Sequence, residues 1–531
     1  MLLVLFTGCS PSRYVADADR EVARLLDRYD DRALGDRREW IRYPTETPGP
    51  EGEGEGVQVE AEAPEADDPP TAPPIEPREI DLDEALALAF TSSREFEDRV
   101  EALYLQGLGF TLTRYNFGPI VNATIGYLWS DREGSDESDS FDASAAVSQI
   151  LPTGGDLSVS SSLAGARVAD PSFFDLSDNT TFDSTVAVNL RQPLLRGAGY
   201  EVSHEALTQG QRNLIYAVRS FELFREDFSI RVAERYFDLV RQQQQLRNDE
   251  RNYEAAVFDR EKAEAMRQTD RNRDEDVFLA RRREIEAEDA LLRSRTNFEL
   301  SLDDFKILLG LPTSWPIEIV DLEPEFEPVR IDPVSAVEVA LHNRLDLQTE
   351  RDQVEDAERA VRIARNGLLP DLDLTAAYGY AGRGDRLSQA TPDDWSSTIG
   401  LSFDIPLQQL PERNAYRASL IAAEQAQRTL SRTMDEIERD ILNQLRELEQ
   451  FEKRIELQRE QIEREKRAVA VMQVRVESGD AQTRDLLDAR QGLTDAQNAL
   501  INLKVQHFIA RLQLRRDLGI LFINERGMWT P

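Results

Sequence analysis

Apolar and polar positions along this chain follow two different periods. In residues 371–380, Leu372, Leu374, Ala376, Tyr378 and Tyr380 share one side of an extended backbone, and Asp371, Asp373, Thr375 and Gly379 the other. Residues 397–405 repeat the pattern, Ile399, Leu401, Phe403 and Ile405 alternating with Thr398, Gly400, Ser402 and Asp404. Earlier, Val121, Ala123, Ile125, Tyr127 and Trp129 alternate with Asn122, Thr124 and Gly126, and Val186, Val188 and Leu190 alternate with Ala187, Asn189 and Arg191. A period of two predicts strands with one apolar face. Runs of about 9–11 residues suit tilted strands that cross a bilayer, with Trp129, Tyr378 and Tyr380 near the ends as an aromatic girdle. A half-buried strand of a soluble sandwich shares the alternation.

The second period is seven. Ile441, Leu448, Ile455, Ile462 and Val469 recur at heptad spacing among charged residues and glutamines, as do Val232, Leu239, Leu246 and Tyr253. Sustained heptads predict coiled coil, although a soluble helical bundle would carry the same pattern. Residues 202–268 and 412–478 contain no proline. At ~1.5 Å per residue each predicts a helix on the order of 100 Å long.

The two periods recur together. Ile80-Asp81 and Ile331-Asp332 each open a helix at an offset of 251, and the same offset relates Ala85 to Ala336, Ala89 to Ala340, Pro119 to Pro370 and Tyr127 to Tyr378. Gln192-Pro193-Leu194 corresponds to Ile405-Pro406-Leu407 at an offset of 213, and Ala280-Arg281 to Ala489-Arg490 and Gly310 to Gly519 at 209. The chain therefore reads as two copies of one unit, helix, strands, long helix, turn and helix. The drop from 251 to 213 gives the first copy 38 extra residues between Tyr127 and Pro193.

Composition removes whole classes of function. The 531 residues carry 100 acidic and 63 basic side chains, a net charge of -37, with three histidines far apart and a single cysteine. An acidic chain without basic patches is no nucleic-acid binder. There is no metal-ligand spacing, no phosphate loop and no nucleophile elbow, so neither cofactor nor enzymatic activity is expected. The acidity reads either as a self-repelling soluble surface or as an acidic lumen that favours cations. Residues 10–43 predict a charged helical segment with Val22, Leu25 and Leu26 at helical spacing, whereas 44–78, dominated by Pro, Glu and Gly, cannot bury a core and predicts a disordered linker. No stretch of some 18 apolar residues predicts a transmembrane helix. Cys9 closes the apolar run Leu2-Leu3-Val4-Leu5-Phe6-Thr7-Gly8, which ends in small residues as a signal peptide does.

Phe6-Thr7-Gly8-Cys9 resembles the lipobox of bacterial lipoproteins, which implies that Cys9 is lipidated and that Ser10 behind it permits sorting to the outer membrane. The alternative is a chance cysteine in an ordinary apolar N-terminus. The duplicated architecture over roughly 80–520 resembles the TolC family of outer-membrane efflux proteins. Leu82-Asp83-Glu84-Ala85-Leu86-Ala87-Leu88-Ala89 resembles its helix opening, and Leu368-Leu369-Pro370-Asp371-Leu372 its approach to a strand. Gly479-Asp480-Ala481-Gln482-Thr483-Arg484-Asp485-Leu486-Leu487-Asp488-Ala489 resembles its periplasmic helix-turn-helix tip.

The resemblance implies an α+β membrane protein. Two helix–strands–long helix–helix repeats would contribute to a trimeric transmembrane β-barrel continued by a periplasmic α-helical coiled-coil tunnel. It implies a passive exit channel of a tripartite efflux or type I secretion system in the outer membrane of a Gram-negative-type bacterium, serving a periplasmic adaptor and an inner-membrane transporter. It further implies that Asp485 and Asp488, with Asp276 matching Asp485 in the first copy, form the tunnel constriction; Leu279 replaces the second acid there, and Ala481 stands where the family has a basic residue. Two acids opening a helix also simply favour its dipole. Among functions, a periplasmic coiled-coil adaptor without a pore is the alternative, but adaptors pair compact β domains with one helical hairpin.

The expected organisation is a lipoprotein signal end (1–9), the helical segment (10–43), the linker (44–78), a first repeat (80–312), a second repeat (331–520) and a C-terminal tail (521–531). Strands are expected at about 119–129, 141–151, 156–164 and 182–192 in the first repeat, and at about 371–381 and 395–405 in the second. Phe141, Ala143, Ala145 and Val147, then Leu157, Val159 and Leu163, alternate with polar residues around the turn Pro152-Thr153-Gly154-Gly155. The 38 extra residues thus form either an added strand pair, making about 18 strands in a trimer where the resemblance implies 12, or a hairpin outside the barrel.

Overall fold

The computed structural model describes residues 11–34, 77–130, 138–168, 179–268, 274–322, 324, 326–478, 480–481 and 483–529. Cys9, residues 35–43 and all but the end of the 44–78 segment lie outside these residues. In chain order the elements are α1 (Pro11–Leu34), β1 (Arg78–Ile80), α2 (Leu82–Ser92), α3 (Arg94–Phe117), β2 (Ile120–Ser130), β3 (Ser138–Ile150), β4 (Asp156–Val168), β5 (Asn179–Pro193) and α4 (Tyr200–Ser203). There follow α5 (Glu205–Gln268), α6 (Asp274–Leu308), β6 (Ile317–Ile319), α7 (Pro333–Asn343), α8 (Leu345–Asn366), β7 (Asp371–Gly384), β8 (Asp394–Asp404), α9 (Leu410–Glu477) and α10 (Thr483–Asp517). These fall into two compact units, one comprising Met1–Ala33, Leu103–Val218 and Gln348–Arg432, the other Leu34–Ala102, Arg219–Leu347 and Thr433–Pro531.

The first unit is built on one antiparallel sheet of six strands in the order β2-β3-β4-β5-β7-β8. Neighbours in the chain are neighbours in the sheet, apart from the helical excursion between β5 and β7. The 141–164 segment is therefore an integral strand pair: Ile120–Ser130 pairs with Ser148–Ser138, and β4 pairs along its full length with both β3 and β5. The strands run past the apolar alternation, β3 beginning at Ser138 and β5 at Asn179. Backbone pairing does not require an apolar side chain, so the hydroxyl-rich ends remain in the ladder.

At one end of the sheet the β3–β4 turn is pinned to the chain leaving β5. Leu151 N–H donates to Gly155 O at 2.7 Å, Gly154 adopts φ +90, and Gly199 N–H donates to Thr153 O at 2.9 Å. Thr153 Oγ1 donates to Gln192 Oε1 at 2.6 Å. A Cβ on Gly154 would stand 2.4 Å from Gly197 O, so glycine is required twice over, for its φ and for this contact. In the same unit α1 lies on α3. Val22 packs where a Cβ on Gly107 would stand, Tyr29 meets Phe110 edge-on at 5.6 Å, and Tyr104 donates to Asp19. Partial burial and the Asp19 carboxylate push the Tyr104 hydroxyl up to about 12.

The second unit is helical. Ile441, Leu448, Ile455 and Ile462 on α9 are all buried, as are Val232 and Leu239 on α5, so these parts of the heptad seams face packed neighbours, while Val469, Leu246 and Tyr253 are half-buried. Phe451 and Ile455 cluster with Leu503 of α10. A second core gathers Phe90, Phe96 and Phe228, with ring centroids 4.7 Å apart between Phe90 and Phe96 and 5.8 Å between Phe96 and Phe228. Short helices α2 and α7 have the same length and start alike. Asp81 accepts from Glu84 N–H and Asp332 from Ser335 N–H, at 2.8 and 3.0 Å. Each carboxylate satisfies an orphan donor of the first turn. The bonds from the Ser335 N–H and hydroxyl hold the Asp332 carboxyl below its ordinary range.

Two boundaries differ from the sequence expectation. Arg78 belongs to β1 rather than to the linker, because β1 pairs in parallel with β6. Residues 521–529 are packed down: Arg225 donates to Ile523 O and Asn524 O, Ser229 Oγ donates to Gly527 O at 2.9 Å, and Trp529 meets Phe508 at 5.8 Å.

Candidate functional site

Register turns six separate alternations into two continuous faces. Directly paired residues share a side of a sheet. Ile125 pairs with Ala143, Ala143 with Leu163, and Tyr127 with Phe141, so the apolar sets of β2, β3 and β4 align. The same face continues through Val159–Val188, Val188–Tyr378 and Val186–Tyr380 to Tyr380–Trp395 and Ala376–Ile399. Ile125 is 73% exposed and Ile399 81%, so this part of the face is uncovered among the described residues, whereas nearer the β7–β8 connection Ser184 Oγ on the same face donates to Ala390 O at 2.6 Å. Tyr378 and Tyr380 share a hydroxyl contact at 2.9 Å beside Trp395.

The opposite face carries Thr124–Ser144, Ser144–Ser162, Ser162–Thr185, and then Asp183–Arg383 and Ala377–Thr398. Its polar groups satisfy one another. The Ser162 and Thr185 hydroxyls are 2.5 Å apart, and those of Ser130 and Ser138 2.8 Å. Arg383 donates to Asp183 at 2.6 Å, and Arg191 to Asp373 at 2.8 Å. A sheet wet on one side and apolar on the other fits a wall between lipid and water. Its terminal strands, β2 and β8, each have a neighbour on one side only among the described residues.

The helix tips hold the predicted constriction residues. Asp485 and Asp488 lie one turn apart in the first two turns of α10, and both are exposed. Asp276 lies near the start of α6, on the other hairpin. The structure thus brings together Asp485 and Asp488 on one helix and places Asp276 on another. At the end of α9 the chain turns on Asp480 N–H and Ala481 N–H, which both donate to Arg475 O.

A feature overlooked in the sequence lies on α6. Phe278, Ile285 and Leu292, seven apart, are 70%, 61% and 57% exposed, an apolar stripe uncovered among the described residues. The heptad spacing that marked α9 was there to find it. Among the described residues no group of three or more His, Cys, Asp or Glu is placed to hold a metal ion, and no helix is long and apolar enough to cross a membrane.

Charged groups also pair in the helical unit, most of them half-buried. Arg344 donates to Asp346 at 3.0 and 2.6 Å, and Arg516 pairs with Asp517 at 2.8 Å and Asp227 at 2.5 Å. Burial works against ionisation of Asp346, but the Arg344 guanidinium outweighs it and holds the carboxyl below its usual range. His507 is buried 4.9 Å from the Phe326 ring, with Glu452 3.9 Å from Nε2. Burial lowers the imidazole pKa, which Glu452 opposes and Arg511 reinforces.

The comparisons with known proteins agree with this geometry. The family model described as "Outer membrane efflux protein" matches residues 336–520. The alkaline protease secretion protein AprF of Pseudomonas aeruginosa is 26% identical over 371 residues, covering 65% of this chain and 72% of AprF. The outer membrane protein TolC of Escherichia coli is 26% identical over 255 residues, covering 44% of this chain and 49% of TolC. Among solved structures, the outer membrane protein VceC of Vibrio cholerae superposes with a TM-score of 0.60 at 17% identity, covering 82% of this chain and 96% of VceC. The fold and its two-faced sheet are similar to those of the outer-membrane channels among these relatives. Over residues 336–520 the chain matches the model of the outer-membrane efflux proteins, and its fold is similar to that of TolC-like channels.

Proposed function

We propose that three copies of the chain join sheet to sheet into one barrel, apolar face to lipid and polar face to water, with the helices continuing as a periplasmic tunnel. The observation that carries this reading is the six-stranded sheet with two continuous faces and two open ends. Open strand edges are not stable in lipid, so one copy cannot span the membrane alone. The Phe278–Ile285–Leu292 stripe adds a helical surface that a neighbouring copy would cover. Each chain supplies two units of helix, strands, long helix and helix, with α6 and α10 both 35 residues long.

Cargo delivered by an inner-membrane transporter through a periplasmic adaptor leaves by this duct, and the transporter supplies the energy. Asp485, Asp488 and Asp276 narrow the tunnel's periplasmic end. Symmetry copies of these acids bring like charges together, which favours resident cations or partial protonation. Cys9 carries lipid, and the acidic 44–78 segment tethers it to the folded body. The test of the channel reading is single-channel recording from purified protein in a planar bilayer. Stepwise conductance supports it; a silent bilayer with correctly folded protein refutes it.

A further inference from the structure

The hairpin formed by β3 and β4 is paired along its length as two inner strands of the sheet. It lies between β2 and β5 rather than at an edge, and its ladders run from Ile120–Ser148 to Ser130–Ser138 on one side and from Asp156–Arg191 to Val168–Asn179 on the other. Its two strands have 13 residues each, about 40 Å of extended chain at ~3.3 Å per residue. Tilted at about 40°, that spans the hydrocarbon layer. Its turn is bonded to Gly199 and Gln192, at the end where β5 gives way to helix. A hairpin outside the barrel would carry its turn free of that end.

The six strands are even in number and alternate in direction, so β2 and β8 run oppositely, and β8 of one copy meets β2 of the next in antiparallel sense. We infer that the assembled channel is a barrel of 18 strands, three copies of six, in which β3 and β4 line the lumen as fully as the other four. This rests on the trimeric channel reading above. Barrel diameter grows roughly in proportion to strand number, and barrels of about 16–18 strands enclose an open aqueous channel. The lumen wall added by the hairpin is Ser144, Ser158, Ser160 and Ser162 with Asp142, while the neighbouring Asp183 is neutralised by Arg383. Such a wall is hydrated and lightly charged. It suits large, hydrated cargo and offers a small apolar molecule no surface to bind.

Two measurements test the width. First, the size of neutral polymer excluded from the conducting pore is compared between the native chain and a variant lacking 138–168, which leaves β2 antiparallel to β5 with facing preserved. The native pore is expected to admit clearly larger polymers; an equal cut-off overturns the inference. Second, Ser144→Cys and Ser160→Cys are treated with a membrane-impermeant charged thiol reagent, beside Ala145→Cys and Ser161→Cys on the other face. Current is expected to fall for the first pair and to hold for the second. Indifference at Ser144 and Ser160 in a conducting channel places the hairpin outside the lumen. That result sinks the width and leaves the channel standing, whereas absence of conductance in every form sinks both. The thiol measurement needs no deletion, so it decides the matter even where the shortened chain does not fold.

Discussion

Gly310 and Gly519, 209 positions apart, end α6 and α10 in the same way. Gly310 has φ +75 and donates to Ile307 O, and Gly519 has φ +68 and donates to Arg516 O. The next residue closes the longer bond in each case, Leu311 to Lys306 O and Ile520 to Arg515 O. This is the left-handed cap that glycine adopts without strain. A Cβ on Gly310 would also stand 1.8 Å from Ser92 O. Gly310→Ala is therefore expected to destabilise the helical unit by about 1–3 kcal/mol from the backbone alone, with the clash in addition. A thermal midpoint of the detergent-solubilised protein unchanged from the native value would contradict this.

The hairpin tip supplies a second prediction. On the proposed constriction, replacing Asp485 and Asp488 together with Ala is expected to raise single-channel conductance and to weaken block by divalent cations severalfold, because clustered carboxylates would both narrow the pore and attract cations. Native conductance with native block in the double variant would show that these acids serve only the start of α10.

His507 makes the helical unit acid-sensitive. Its folded pKa lies below the ordinary 6.5, because burial disfavours the cation. The sign follows from linkage: the unfolded chain binds the proton more readily, so the contribution is complete above about pH 6.5 and is lost as pH falls through the lower folded value. The imidazole faces Glu452, which favours protonation, and Arg511, which opposes it. His507→Phe, stacked on Phe326, is expected to flatten this part of the stability profile. Thermal midpoints between about pH 8 and pH 5 measure it, and parallel profiles for native and variant would remove His507 from the account.

The N-terminus gives a fourth test. Mass spectrometry of the mature protein is expected to find Cys9 as the first residue, carrying acyl chains. An unmodified Cys9 within a longer leader would end the tether proposal. Cys9→Ser should leave conductance intact in a reconstituted bilayer, since the barrel is proposed to anchor itself.

Much of the architecture was legible because its signals are local and periodic. Ile441, Leu448, Ile455 and Ile462 announce a seam by spacing alone, and all four are buried. The alternation at 371–380 lies within β7, and that at 397–405 within β8 except for its last residue, Ile405, which follows the strand. What was not legible depends on partners distant in the chain. Three-residue strands such as β1 and β6 have no period to read, and they exist because Arg78–Ile80 meets Ile317–Ile319. The C-terminal residues carry no pattern that foretells Arg225 and Ser229 as their holders. Whether the 141–164 hairpin joined the sheet was open in the sequence, because apolar alternation states a face without naming a neighbour. At the tips, Asp485 and Asp488 were singled out by resemblance, and their spacing on α10 follows from helix geometry; a ring is a property of several copies that no single sequence displays.

The hairpin between β2 and β5 also bears on how such a duct can change its bore. A strand that leaves the helices must be answered by one that returns, or the chain after it would emerge on the wrong side of the membrane. Calibre therefore cannot drift residue by residue. In the proposed three-copy barrel it moves in steps of two strands per copy, six in all, and each step keeps the strand directions at the joint between copies. In the proposed channel a single insertion in one loop would thus widen the outlet while leaving the sequence of every helix unchanged.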